Sequence, residues 1–157
     1  LPLLVLLVLW LLPRVKGAYS LHDIERSARY FGLPFRQPSV FPIPTQHAAR
    51  AFLWLNDRNP ARAKAFGLAA YRAYFVDDVN ISDLGALLDI ASAQGVDRDE
   101  LSAVLAGTEI KARLAAEVDL GLARGVFGSP FVFVDGEAFW GADRLPQLER
   151  WLAEGGF

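Results

Sequence analysis

The decisive stretch lies near the end of the chain: Gly125-Val126-Phe127-Gly128-Ser129-Pro130-Phe131-Val132-Phe133-Val134-Asp135-Gly136, followed by Phe139-Trp140-Gly141-Ala142-Asp143-Arg144-Leu145. Phe131 to Val134 is β-branched and aromatic, the composition of a buried strand. Asp135-Gly136 is a two-residue hairpin signal, because a type I′ turn needs φ > 0 at both central residues. A second strand then returns through Phe139 and Trp140, and a helix opens at Asp143, a residue type favoured at helix N-caps. The loop ahead of the first strand ends in Ser129-Pro130. A helix N-terminus beside that loop offers free N–H groups and the positive end of a helix dipole, which together suit an anion. The last helix is expected to bury Leu145, Leu148 and Leu152, with Trp151 alongside. Two strands make a poor sheet alone, so further strands must come from elsewhere.

Upstream the pattern is helical. Ser20-Leu21-His22-Asp23 resembles a capping box with Asp in place of Glu, and Ile24, Ala28 and Phe31 follow at helical spacing. Gly32-Leu33-Pro34 stops that helix. Residues 35–45 carry Pro38, Pro42 and Pro44 with Phe35 and Phe41, an extended segment lying on the surface. Helices are expected over 46–57 and over 60–76, with Pro60 near the first turn of the second. Ser82 is read as the cap of a helix over 83–94 that Gly95 closes. Asp97-Arg98-Asp99-Glu100 opens another over 98–106. Thr108 caps a helix to about 123, with Ile110, Leu114 and Val118 as its apolar stripe.

At 157 residues, 53% hydrophobic and 22% charged, the chain is long enough for one domain with a real core. The net charge of −2 gives no electrostatic reason to expect nucleic acid or an anionic membrane. Cysteine is absent, which excludes thiolate nucleophiles, disulfide exchange, zinc–thiolate sites and iron–sulfur clusters. His22 and His47 stand without metal-ligand spacing and read as helix-face residues, so no metal is expected. Trp54 and the aromatics of residues 71–75 read as core stripe. Methionine is absent even at position 1, which suggests a processed or expression product, or a piece of a longer protein.

Residues 1–12, Leu-Pro-Leu-Leu-Val-Leu-Leu-Val-Leu-Trp-Leu-Leu, are apolar throughout. Spanning a membrane takes about 20 such residues, and Pro13-Arg14 interrupts the run, so no span is expected. A signal-peptide core has this length but needs a basic region before it. The expectation is a buried strand or helix separated from its upstream partners, or sequence foreign to the rest.

The pattern Gly-Val-Phe-Gly-Ser-Pro, hydrophobic strand, Asp-Gly, Phe-Trp-Gly-Ala-Asp-Arg-Leu resembles the C-terminal part of the 2-hydroxychromene-2-carboxylate isomerases. These stand with kappa-class glutathione transferases in the DsbA-like branch of the thioredoxin fold. Lys16-Gly-Ala-Tyr19, Asp23-Ile-Glu-Arg26, Gly32-Leu-Pro34, Pro38, Phe41-Pro42, Tyr71-Arg-Ala-Tyr-Phe75 and Ile81-Ser82-Asp83 agree with it. The resemblance implies an α/β, mostly helical, thioredoxin-like fold forming a single domain over residues 1–157. Residues 14–124 would be mainly the helical insertion and 125–157 the closing ββα unit. Residues 1–13 would be an atypical apolar segment, leaving the N-terminal βαβ part incomplete.

The resemblance also implies glutathione as cofactor. The Ser129–Pro130 bond would be cis, and the backbone of Ser129 would pair with the cysteinyl portion in β-like fashion. Trp140, Gly141, Ala142 and Asp143 would receive the γ-glutamyl end, with N–H groups for its carboxylate and the Asp143 carboxylate for its ammonium. Asp143 as an ordinary N-cap is the simpler alternative. Phe41 matches a position where some isomerases place a Tyr near the aromatic substrate; a core Phe is the alternative.

The implied reaction is isomerisation of 2-hydroxychromene-2-carboxylate to trans-o-hydroxybenzylidenepyruvate in aromatic hydrocarbon degradation. The glutathione thiolate would add, permit rotation about the former double bond, and leave. A cytoplasmic homodimer binding a small aromatic substrate goes with it. One departure stands out: the family's reactive serine lies in an N-terminal Ser-Pro motif, and residues 1–12 contain no Ser, Asn, Lys or Arg. No catalytic residue can therefore be carried over. Two alternatives stay open, a catalytically incomplete thioredoxin-like binding module and a kappa-class glutathione transferase. A dithiol oxidoreductase is excluded by the missing cysteines.

Overall fold

A computed structural model describes residue 17 and residues 19–157. The expectations for residues 1–12, for Pro13 and for Lys16 lie outside the described residues. The chain divides into two compact units, one reaching to Lys111 and the other Ala112–Phe157.

Among the described residues the regular elements of the first unit are all helices. Helix α1 covers residues 19–30 and ends in a left-handed glycine, Gly32 at φ 65°, with Leu33 N–H donating to Ala28 O. Ser20 lies inside this helix and so is not its N-cap. After the Pro-rich segment come α2 (Gln46–Asn56), α3 (Pro60–Phe75), α4 (Leu84–Ser92), α5 (Arg98–Ala106) and α6 (Thr108–Ala123), within which the boundary between the units falls. Asn59 caps α3 by accepting from Arg62 N–H, and Pro60 fills the first-turn position whose N–H would have no partner. Asp97 caps α5 by accepting from Glu100 N–H. The cap of α4 is Asp83, accepting from Ala86 N–H at 2.8 Å. Ser82, the expected cap, instead turns its hydroxyl to Asn80. Asp83 is one residue nearer the first turn, and its carboxylate reaches an N–H that Ser82 cannot.

These helices enclose one apolar core. Phe66, Leu87, Leu101 and Leu105 are fully buried, and Trp54, Leu55, Tyr74, Ile81 and Ile110 surround them. Trp54 and Tyr74 thus belong to the core as expected, whereas Tyr71 is exposed.

In the second unit β1 (Phe131–Val134) and β2 (Glu137–Trp140) form an antiparallel hairpin, followed by a 3-10 turn (Ala142–Arg144) and α7 (Leu145–Glu154). The turn residues Asp135 and Gly136 have φ of 52° and 86°, as a type I′ turn demands. The first strand is half-buried along its length rather than buried. The stripe expected on α6 ends early, since Val118 is exposed. On α7 Leu145 and Leu152 are exposed and only Leu148 and Trp151 are half-buried. Among the described residues α7 meets the hairpin through Trp151, which lies edge-on to Phe139 at 5.8 Å.

Candidate functional site

The register Phe131↔Trp140, Val132↔Phe139, Phe133↔Ala138 and Val134↔Glu137 sorts the hairpin into two faces. Phe139, the buried residue of the pair, faces Trp151. On the opposite face Phe131 and Trp140 both meet Phe127 edge-on, at 5.3 and 4.8 Å, and the Arg124 guanidinium lies 4.4 Å above Phe133. Phe127 and Trp140 are exposed, so this is an open aromatic wall beside Ser129-Pro130.

Gly128 makes the wall possible. A Cβ at that position would overlap Nε1 of Trp140 and come within 2.9 Å of Cε2 and 3.1 Å of Cδ1. The indole therefore lies directly on the Gly128 backbone. The residues 125–130 were read as a loop, and only the proximity of an aromatic could have singled out this glycine.

The Ser129–Pro130 peptide is cis, as is Phe41–Pro42, which was not anticipated. Among the described residues neither the N–H nor the carbonyl of Ser129 takes a backbone partner, and the residue is exposed. The carbonyl of Pro130 accepts from Gly141 N–H at 3.0 Å. That bond ties the Ser-Pro loop to the second segment, so Ser129, Pro130, Trp140, Gly141, Ala142 and Asp143 gather at one end of the hairpin.

Gly141 sits at φ 106°, ψ 150°, a conformation reserved for glycine. A side chain there would also collide with Oδ1 of Asp143, whose carboxylate folds back over the glycine. Asp143 is therefore not the cap that opens the last helix. It lies within the 3-10 turn and pairs with Arg144 Nη1 at 2.9 Å on the surface. Gly141 and Arg144 hold the N-cap positions of the two helical segments, neither through its side chain. The turn's first N–H groups, Ala142 and Asp143, have no backbone acceptor among the described residues.

Phe41 belongs to the other unit. It is 46% exposed and stacks on Tyr74 at 6.5 Å, which favours the accessible aromatic over a core Phe. Its segment is held by Tyr74 Oη donating to Val40 O, by Arg36 N–H donating to Phe75 O, and by Ser39 N–H donating to Asp78 Oδ1 at 2.7 Å. The Ser39 N–H, the Ser39 side chain and then Arg36 hold the Asp78 carboxyl below its ordinary range, against the opposing effect of desolvation. Burial, with the nearby Asp78 charge, raises the Tyr74 phenol. Among the described residues no cluster of His, Cys, Asp and Glu could hold a metal ion, and no helix is long and apolar enough to cross a membrane.

A proline loop leading into an antiparallel hairpin and a closing helix, preceded by a helical unit, defines a thioredoxin-like protein of the helix-inserted type. The model of the DsbA-like thioredoxin domain matches residues 11–153. A 2-hydroxychromene-2-carboxylate isomerase of Sphingobium xenophagum is 33% identical over 147 residues, covering 90% of this chain and 70% of the relative. Glutathione S-transferase kappa 2 of Caenorhabditis elegans is 29% identical over 158 residues, 89% of this chain and 68% of that one. The solved structure of a 2-hydroxychromene-2-carboxylate isomerase superposes with TM-score 0.79 at 26% identity, covering 89% of this chain and 67% of that one. The chain belongs to the DsbA-like thioredoxin family, in the branch of the 2-hydroxychromene-2-carboxylate isomerases.

Proposed function

We propose that this chain binds glutathione on its C-terminal unit and isomerises a planar aromatic acid of the 2-hydroxychromene-2-carboxylate type. The observation that carries the reading is the Gly141 N–H to Pro130 O bond, which sets the free backbone of Ser129 beside the glycine turn and Asp143. These residues fit the tripeptide. Ser129 is exposed and its N–H and carbonyl are unpaired among the described residues, as pairing with an extended peptide requires. The N–H groups of Ala142 and Asp143 can receive the γ-glutamyl carboxylate, and the absence of a side chain at Gly141 lets that end approach. The Asp143 carboxylate accepts from the ammonium. Its pair with Arg144 is exposed on both sides, so releasing it costs only about 0–1 kcal/mol. Bound glutathione would supply the nucleophilic thiol. Phe41 offers a ring face for stacking an aromatic substrate. The helical insertion over 14–124 and the ββα unit over 125–157 act in this reading as one domain of a cytoplasmic homodimer engaged in aromatic degradation.

Thermal unfolding with and without glutathione tests the binding. Tenfold excess over Kd stabilises by about 1.4 kcal/mol, a rise of roughly 3–6 °C for a chain of this length. Asp143→Ala should remove most of that rise, and no shift at millimolar ligand counts against the proposal. Conversion of 2-hydroxychromene-2-carboxylate should require added glutathione. A second reading is a module that binds glutathione without turnover; binding with no conversion would select it. The similarity to the kappa-class transferase supports a third, which conjugation of glutathione to a soluble electrophile would reveal.

A further inference from the structure

One face of α2 carries nitrogen atoms that the fold does not use. His47 Nδ1, Arg50 Nε and Trp54 Nε1 are all shut off from solvent and have no hydrogen-bond partner among the described residues. Residues 47, 50 and 54 are one and then two turns along the same side of the helix. Arg50 is half-buried, and among the described residues no carboxylate pairs with it. Arg113, the other half-buried arginine among the described residues, pairs with Glu117, as expected where a guanidinium held partly out of water is costly without an anion. The inner nitrogens of His47 and Arg50 are enclosed, whereas the outer ones are not among the enclosed atoms and stay reachable. The start of α2 reinforces the charge. Thr45 gives no side-chain cap, and the first turn contains no acidic residue, so the positive end of the helix is not compensated locally.

We infer that Arg50, assisted by His47, is a binding site for the carboxylate of a planar aromatic acid. This rests on the function proposed above for the substrate class, but the site itself stands on α2 alone. A guanidinium matches a carboxylate with two parallel hydrogen bonds, which a lysine cannot reproduce. The segment carrying the exposed Phe41 ring leads directly into the first turn of α2, so a ring-stacking surface and an acid-binding side chain lie on consecutive parts of the chain.

Chromone-2-carboxylate, a stable planar acid, and its uncharged carboxamide are the probes, titrated into the intact protein by calorimetry. Wild type should bind the acid at least tenfold more tightly than the amide. Arg50→Gln should abolish that preference, Arg50→Lys should restore only part of it, and glutathione binding should be unchanged in both. Equal affinity for acid and amide in wild type, or full preference retained in Arg50→Gln, overturns the site. Should Arg50→Gln fail to fold, the wild-type comparison decides alone, and His47→Gln should reduce the preference severalfold. Glutathione binding without acid preference removes this site and leaves the proposed function. Acid preference that depends on Arg50, without glutathione binding, keeps the site and removes the cofactor.

Discussion

Replacing Gly128 with alanine puts a methyl group into the Trp140 indole. The methyl would overlap Nε1 and approach Cε2 and Cδ1 to 2.9 and 3.1 Å, so three atoms of one rigid ring are met at once. A shift of a few tenths of an ångström does not relieve that, and the half-exposed indole must rotate outward. Rotation breaks its edge contact with Phe127, worth about 0.5–1.5 kcal/mol. It also uncovers part of the ring, about another 1 kcal/mol at roughly 25 cal/mol per Å². Gly128 is not among the glycines with positive φ, so alanine suffers no backbone penalty and gains about 0.4–1 kcal/mol from a less free unfolded chain. The net is a loss of about 0.5–2 kcal/mol. In a Trp140→Ala background the collision is gone, and Gly128→Ala should be neutral or slightly stabilising. Urea unfolding followed by far-ultraviolet circular dichroism on the four proteins of this cycle gives the coupling directly. If Gly128→Ala costs as much without the indole as with it, the account of the aromatic wall is wrong.

Other consequences can be checked by unfolding alone. Asp78 titrates below its ordinary value in the folded state, so its contribution is present above about pH 4 and lost as the pH falls through the lower folded value. Asp78→Asn keeps an acceptor for Ser39 N–H and tolerates φ 59°, so its melting temperature should fall less steeply than that of wild type below pH 4; parallel curves would contradict this. Gly136→Ala should cost about 1–2 kcal/mol through φ 86° alone, as no atom lies within 4 Å of the added carbon, and Gly136→Asn should recover part of it. Asp97→Ala should cost about 1 kcal/mol by removing the cap of α5, and Asp97→Ser much less.

The hairpin was legible because its signals are local. Asp135-Gly136 demands its turn, and the alternation of β1 and β2 follows from it. The boundaries of α3 and α5 were legible for the same reason, through Pro60 and Asp97, whereas Thr108, the expected cap of α6, is already its first helical residue. The misread cap of α4 is a case where two polar residues, Ser82 and Asp83, compete and only three-dimensional reach decides. The exposure of Leu145 and Leu152 on α7 depends on what packs against the helix, which periodicity does not report. At the site the residue types were legible but their duties were not. Asp143 has the composition of a cap, yet the φ of 106° at Gly141 turns its carboxylate back over the glycine. Gly128 and Asp78 matter through contacts with Trp140 and Ser39 that are distant along the chain. That Arg50 has no carboxylate partner among the described residues is visible only after the other pairs have been assigned.

Amide chemical shifts of the intact protein titrated with glutathione test the central claim most directly. The account predicts saturable changes concentrated at Ser129, Gly141, Ala142 and Asp143, and their loss in Asp143→Ala. Absence of saturable change, or changes confined to residues outside the end of the hairpin, would contradict it.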